Sequence, residues 1–136
     1  GNIVNEESIE YTGPYNQEIE KPHLFVFVVP LEGINSETFI SAIGQFNDTV
    51  SSELNLTIEE QALDDFRNMV KINGLPDKET AMQYFRQLVQ ERSLFVPLGN
   101  AEYRNFLITE ENFGIFLEEK NITEYMDFYK RIYLGQ

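Results

Sequence analysis

The chain has 136 residues, of which 42% are apolar, and this length and composition favour one folded domain with a single core. Its 23 acidic and 10 basic residues give a net charge of −13, which argues against nucleic-acid binding and against docking on an anionic membrane through charge. The absence of cysteine excludes disulfides, thiolate metal sites and cysteine nucleophiles. Eleven Phe and seven Tyr with no Trp indicate a core built on aromatic rings.

Residues 1–22 are predicted to form an acidic linker or extended arm, and residues 23–136 a single domain. Glutamates recur through the arm, and the Gly13-Pro14 and Lys21-Pro22 steps disfavour regular structure there. A few apolar side chains are available to pin the arm onto the domain: Ile3, Val4, Ile9, Tyr11 and Tyr15.

The segment from His23 to Val29 predicts a strand buried on both faces, and therefore a central strand, because it is apolar at both alternations. Pro30 ends this strand. Asn35 or Ser36 is expected to cap a helix that runs to about residue 51. The apolar stripe of that helix consists of Phe39, Ile40, Ile43, Phe46 and Val50.

A hairpin is predicted next. Apolar and polar residues alternate over 54–59, which indicates a half-buried strand. Asp64-Asp65 marks the turn, and residues 68–73 form the return strand with Val70 and Ile72 on the same face.

The rest of the chain predicts a second helix, a last strand and two further helices. Asp77 is expected to cap the helix that ends near Ser93, and the strand covers residues 103–108. Thr109 and Asn121 are the expected caps of the last two helices. The order β-α-β-β-α-β predicts an α+β, ferredoxin-like domain: a four-stranded antiparallel sheet with two helices on one face, plus extra C-terminal helices.

No catalytic, cofactor-binding or metal-binding residue is predicted. His23 is the single histidine, and we expect it to be a partly exposed structural residue at a strand end. The glycines stand alone, so no phosphate-binding loop is present. Neighbouring acids such as Glu59-Glu60 diverge on a strand and do not stack on a helix, which disfavours a catalytic carboxylate pair.

The segment Pro22-His23-Leu24-Phe25-Val26-Phe27-Val28-Val29-Pro30 resembles the first strand of the C-terminal domain of large bacteroidete envelope proteins, in which tetratricopeptide repeats precede that domain. The resemblance covers roughly residues 22–133. It continues through Phe46-Asn47, Leu54-Asn55-Leu56, Ala81-Met82-Gln83-Tyr84-Phe85, Tyr103-Arg104-Asn105-Phe106-Leu107-Ile108-Thr109, Asn112-Phe113 and Tyr125-Met126-Asp127-Phe128-Tyr129.

This resemblance implies a periplasmic lipoprotein module related to gliding motility or type IX secretion, tethered to a membrane through an N-terminal part outside this sequence. The predicted fold is also similar to the SPOR domain, which binds denuded peptidoglycan strands on its open sheet face. No direct membrane insertion is expected, because the longest apolar run, Leu24 to Val29, is too short to span a bilayer.

Our leading hypothesis is therefore a non-enzymatic interaction module of the cell envelope, which binds a protein partner or a glycan strand. The predicted partner surface is the sheet face opposite the two main helices: Asn55, Thr57, Glu59, Met69, Lys71 and Asn73. An alternative is that the last helix covers this face with Tyr125, Phe128 and Ile132, which moves the partner surface to the sheet edges or to the acidic helices.

Two other classes of function stay open at this point. An ACT-like regulatory domain shares the predicted topology and binds a small molecule at a dimer interface. An enzyme requires two separated carboxylates that converge in a pocket.

Overall fold

Four strands form one antiparallel sheet in the computed structural model, which describes residues 11–136. They are β1 (His23–Pro30), β2 (Thr57–Ala62), β3 (Arg67–Leu75) and β4 (Arg104–Thr109). Their order is β2-β3-β1-β4, so β1 and β3 are central while β2 and β4 are the edges. The predicted α+β class and four-stranded antiparallel sheet are confirmed.

The central position of β1 follows from its sequence, which is apolar at every position from Leu24 to Val29. Alternate side chains of a strand point to opposite faces, so both faces of β1 require a cover. We call the face that carries Phe25 and Phe27 face A, and the face that carries Val26 and Val28 face B. All four of these side chains are buried.

Two helices, α1 (Ser36–Val50) and α2 (Lys78–Gln90), pack on face A. Phe39 of α1 makes an edge-on ring contact with Phe27, and Tyr84 of α2 makes one with Phe25, at centroid distances of 5.0 and 6.2 Å. Aromatic pairs in this geometry stabilise a core beyond their burial alone.

Two further helices, α3 (Glu110–Glu119) and α4 (Ile122–Ile132), cover face B. Phe116 of α3 and Tyr125 of α4 both contact Phe106 of β4, at 5.4 and 4.8 Å between ring centroids. Tyr125 and Phe128 are fully buried, while Ile132 is half-buried. The alternative in which the last helix covers this face is therefore observed over β4, with α3 sharing the role, whereas Thr57 and Glu59 of β2 stay exposed.

Side-chain caps begin each of these four helices. Asn35, Asp77, Thr109 and Asn121 each accept a hydrogen bond from the backbone N–H three residues further on. Such caps satisfy an N–H group that has no partner within the helix. The four predicted caps are confirmed, and of the two candidates given for α1 the cap is Asn35 and not Ser36.

Residues 11–22 contain no helix or strand, yet they pack against the domain. Tyr15 and Ile19 are buried, and the Tyr15 ring lies 4.9 Å from that of Tyr125. The Asn16 N–H donates to Asn112 Oδ1 at 2.8 Å, and Asn112 Nδ2 donates back to the Asn16 carbonyl at 2.9 Å. The first ten residues of the predicted arm, with Ile3, Val4 and Ile9, lie outside the described residues.

The prediction for β2 was wrong by three residues, since the strand covers Thr57–Ala62 and not 54–59. Leu54 ends a 3-10 turn, Ser52–Leu54, and Asn55 adopts the left-handed conformation with φ 55°. Apolar alternation alone does not distinguish such a turn from an extended strand. The second helix is also shorter than predicted. It ends at Gln90 and not near Ser93, because a second 3-10 segment, Arg92–Leu98, follows it.

Candidate functional site

The predicted partner surface on face B is covered in part, on the side of β3. Met69 is 0% exposed, so its assignment to an open surface was wrong, because α3 and α4 pack over this part of the sheet. The Lys71 side chain is only 13% exposed, and its Nζ lies 5.0 Å from the centre of the Phe113 ring of α3. A cation over a ring face is stabilised by the ring quadrupole, and the Lys71 ammonium also donates to Gln61 Oε1 at 2.8 Å, so the side chain is already engaged within the domain.

The other residues of that surface lie at or near β2. Thr57 and Glu59 are exposed on β2, and Asn73 is half-buried and donates to the Glu59 carboxylate at 2.9 Å. Asn55 is exposed, but it lies in the turn before β2 and not on the sheet. The exposed part of face B is thus a strip along the β2 edge.

The single histidine is fully buried, so the prediction that His23 is partly exposed was wrong. Its Nδ1 lies 2.7 Å from the Lys21 carbonyl, which can only accept, so this nitrogen carries the proton. Its Nε2 therefore accepts from the Tyr133 hydroxyl, also at 2.7 Å and 110 residues away along the chain. Burial lowers the pKa of His23, and neither ring nitrogen remains free for proton transfer.

The neighbouring acids do not converge. Glu59 pairs with Lys71 at 3.4 Å on face B, whereas Glu60 accepts from the Asn68 amide on face A at 3.1 Å. Within residues 11–136, no group of three or more His, Asp or Glu side chains is placed to hold a metal ion. No helix in the same part of the chain is long and apolar enough to cross a membrane.

A groove of about 400 Å³ lies at the end of the sheet where β1 ends and β3 and β4 begin. Its lining includes Val28, Val29, Pro30, Phe66, Tyr103 and Ile122, with Arg67 and Arg104 also on its wall. We call it the Phe66 groove. Its sides come from four elements, because the antiparallel register brings the end of β1 to the starts of β3 and β4, and α4 begins there as well.

Phe66 is exceptionally exposed for its type, at 79% of its surface, in the turn between β2 and β3. Leu31, which is 49% exposed, donates its N–H to the Phe66 carbonyl at 3.0 Å and is therefore its neighbour. A single exposed apolar side chain needs no explanation, but adjacent ones beside a groove of mixed lining, which also includes Glu102 and Thr123, indicate a contact surface.

The backbone that carries Phe66 is held by one carboxylate. Asp64 Oδ1 accepts from the N–H groups of Phe66 and Arg67 at 3.0 and 2.8 Å. Its Oδ2 accepts from both Nε and an Nη of Arg67, at 3.0 and 2.6 Å, and hydrogen bonds between charged groups are stronger than neutral ones. The hydrogen bonds from Arg67 and Phe66 hold the pKa of Asp64 at about 2, well below its usual range. The Phe66 ring is thus presented to solvent from a rigid turn.

Replacing Asp64 with alanine is expected to free this turn. Amide order parameters of Phe66 and Arg67, measured by NMR relaxation, should fall, because four hydrogen bonds to the carboxylate are lost. Asp64→Asn keeps the Oδ1 acceptor and should be intermediate. Unchanged order parameters in Asp64→Ala would show that the carboxylate does not fix the turn.

Sequence reasoning found the Asp64-Asp65 turn but missed the exposed Phe66 that follows it. The available signal was an aromatic side chain directly behind a two-acid turn, at a position where a hairpin loop normally carries polar residues or glycine.

Comparisons of the chain with protein-family models, with curated proteins and with solved structures find no match. The resemblance to bacteroidete envelope proteins therefore stays a prediction, and the function must be argued from the site itself.

Proposed function

We propose that this protein is a non-enzymatic interaction module that binds a protein partner through the Phe66 groove. The observation that carries this proposal is the exposed Phe66 ring, held on a turn that Asp64 fixes. Aromatic anchors dominate the binding energy of protein interfaces, and a rigid anchor loses little entropy on binding. The groove of about 400 Å³ beside it gives room for a partner side chain.

The chemistry of the polar residues supports a binding role over catalysis. His23 has both nitrogens engaged inside the core. Glu59 and Glu60 point to opposite faces of the sheet, so they cannot act on one substrate. Arg104 donates to the Tyr103 carbonyl at 3.2 Å and forms no salt bridge in residues 11–136, which leaves it available to a carboxylate of the partner.

We further propose that the fold is a ferredoxin-like arrangement extended by α3 and α4. The placement of β1 and β3 at the centre supports this, as do the β1–α1–β2 and β3–α2–β4 connections, each of which passes over one intervening strand. The location in the periplasm, as the C-terminal part of a repeat-containing lipoprotein of secretion or motility, rests on the resemblance over residues 22–133 alone.

The covering of face B bears on the SPOR-like alternative. A module that binds glycan strands on an open sheet face needs that face free, whereas α3 and α4 bury Met69 and Phe106 there. No observation favours the ACT-like small-molecule alternative.

The test compares the full chain with Phe66→Ser and with Val50→Ser as baits in an envelope extract. Val50 is a matched control, because it is 39% exposed and lies at the far end of α1 from the groove. We expect partner proteins that the wild type and Val50→Ser retain to be lost from Phe66→Ser, with an unchanged midpoint of thermal unfolding.

Two outcomes contradict the proposal. Equal retention by all three baits would remove the groove as the binding surface. Retention on purified glycan strands, with no protein partner, would favour the peptidoglycan-binding alternative.

A further inference from the structure

The two edges of the sheet differ in how they are protected. In the β1–β4 pair, the Leu107 carbonyl points away from β1, and the Tyr125 hydroxyl donates to it at 2.6 Å. Tyr125 and Tyr129 of α4, and Tyr133 directly after it, are spaced four residues apart and are all buried. The helix therefore closes the β4 edge, as edge strands in native proteins usually require.

The β2 edge has no such cover among residues 11–136. The Leu63 N–H donates to the Arg67 carbonyl at 3.0 Å, which fixes the hydrogen-bonding alternation of the hairpin. Because paired positions alternate along an antiparallel ladder, Glu59 and Gln61 bond to β3. The N–H and C=O groups of Ile58, Glu60 and Ala62 consequently point outward from the sheet.

This edge is also regular. β2 pairs with β3 at six consecutive positions without a bulge, and its sequence contains neither proline nor lysine. Bulges, prolines and lysines are the devices that usually prevent a strand from joining an edge. Six residues of about 3.3 Å each give roughly 20 Å of free edge, enough for a short added strand.

The negative charge of the β2 edge favours a basic partner strand. Glu60 is exposed, and its hydrogen-bonding neighbour on β3 is the neutral Asn68 amide, so its charge is not compensated there. Glu59 projects from the opposite face and is 61% exposed despite its contact with Lys71. Like charges opposite one another destabilise a strand pair, so a second copy of β2 is disfavoured and a basic strand is favoured.

We propose that the outer edge of β2 binds an extended, lysine- or arginine-bearing segment of a partner protein, which adds a fifth strand to the sheet. This surface is separate from the Phe66 groove, and either can fail without the other.

The test titrates the isotope-labelled full chain with a six-residue peptide of alternating lysine and valine at millimolar concentration. We expect chemical-shift changes and slowed hydrogen exchange at the outward amides of Ile58, Glu60 and Ala62. A peptide of alternating glutamate and valine is the matched control and should leave these amides unchanged. Equal effects of the two peptides, or no effect of the lysine peptide, would overturn the proposal.

Variants locate the interaction. Glu60→Pro removes an outward N–H that the β2–β3 ladder does not use, so it should abolish the response while the fold persists. Glu60→Gln keeps the N–H but removes the charge. It should reduce the chemical-shift changes caused by the lysine peptide and make them less sensitive to salt concentration. Phe66→Ser should respond as the wild type does, because it lies outside the edge. If the β2 amides become more protected from hydrogen exchange as the protein concentration is raised, without peptide, the occupant is a second copy of this chain. That result would overturn the proposal.

Discussion

Replacing Tyr125 by alanine is expected to lower the free energy of unfolding by about 3–5 kcal/mol, the usual cost of deleting a buried aromatic ring. Tyr125 is 0% exposed, and its ring contacts those of Phe106 and Tyr15 at 4.8 and 4.9 Å. Its hydroxyl also satisfies the Leu107 carbonyl. Equilibrium unfolding in urea, followed by far-ultraviolet circular dichroism, measures this change.

Two variants separate the contributions. Tyr125→Phe keeps the ring but leaves the Leu107 carbonyl without its donor, and should cost about 1–3 kcal/mol. Lys130→Ala is the control on the exposed side of α4 and should change the free energy by no more than about 0.5 kcal/mol. If Tyr125→Ala matches Lys130→Ala, α4 does not unfold together with the sheet, and the described closure of β4 is wrong.

Stability is also expected to fall as the pH is lowered from about 6.5, because His23 is buried in its neutral form. The pKa of His23 in the folded chain is below the ordinary value of 6.5, so the unfolded chain binds the proton first. The free energy of unfolding therefore decreases between pH 6.5 and the folded pKa, with a slope of at most about 1.4 kcal/mol per pH unit for one proton. Below the folded pKa the loss is complete.

Urea unfolding at several pH values tests this. The carboxylates with lowered pKa values, Asp64, Asp77 and Glu111, have ordinary values of 3.8, 3.8 and 4.5, so the unfolded chain takes up their protons mainly below about pH 5.5, and the histidine dominates the interval from about 5.5 to 6.5. His23→Gln should show no slope there. Tyr133→Phe removes the donor to Nε2 and should lower the stability at pH 7.5. A wild-type stability that is flat between pH 5 and 7 would contradict the buried neutral histidine.

The elements that could be predicted from sequence are those whose signals are local. A helix cap needs only a side chain within reach of an N–H three residues away, so Asn35, Asp77, Thr109 and Asn121 were all identifiable. A strand that is apolar at every position must be buried on both faces, which placed β1 at the centre.

What could not be predicted depends on contacts between distant segments. The spacing of Tyr125 and Phe128 shows that α4 has an apolar face, but not that it lies against β4. The burial of His23 involves a hydrogen bond with Tyr133, and no residue near His23 in the sequence indicates that contact. Phe66 was missed for the opposite reason, since hydrophobicity alone predicts burial and its ring is 79% exposed.

The closure of the β4 edge by α4 has a consequence for synthesis on the ribosome. The last strand is complete at Thr109, but the helix that protects it begins at Ile122. A nascent chain from which α4 has not yet emerged exposes the unpaired edge of β4 and, on face B, the side chains of Phe106 and Ile108, a state prone to association with other chains. We therefore expect the domain to fold only after α4 has been translated. Chains truncated before residue 122 are expected to aggregate.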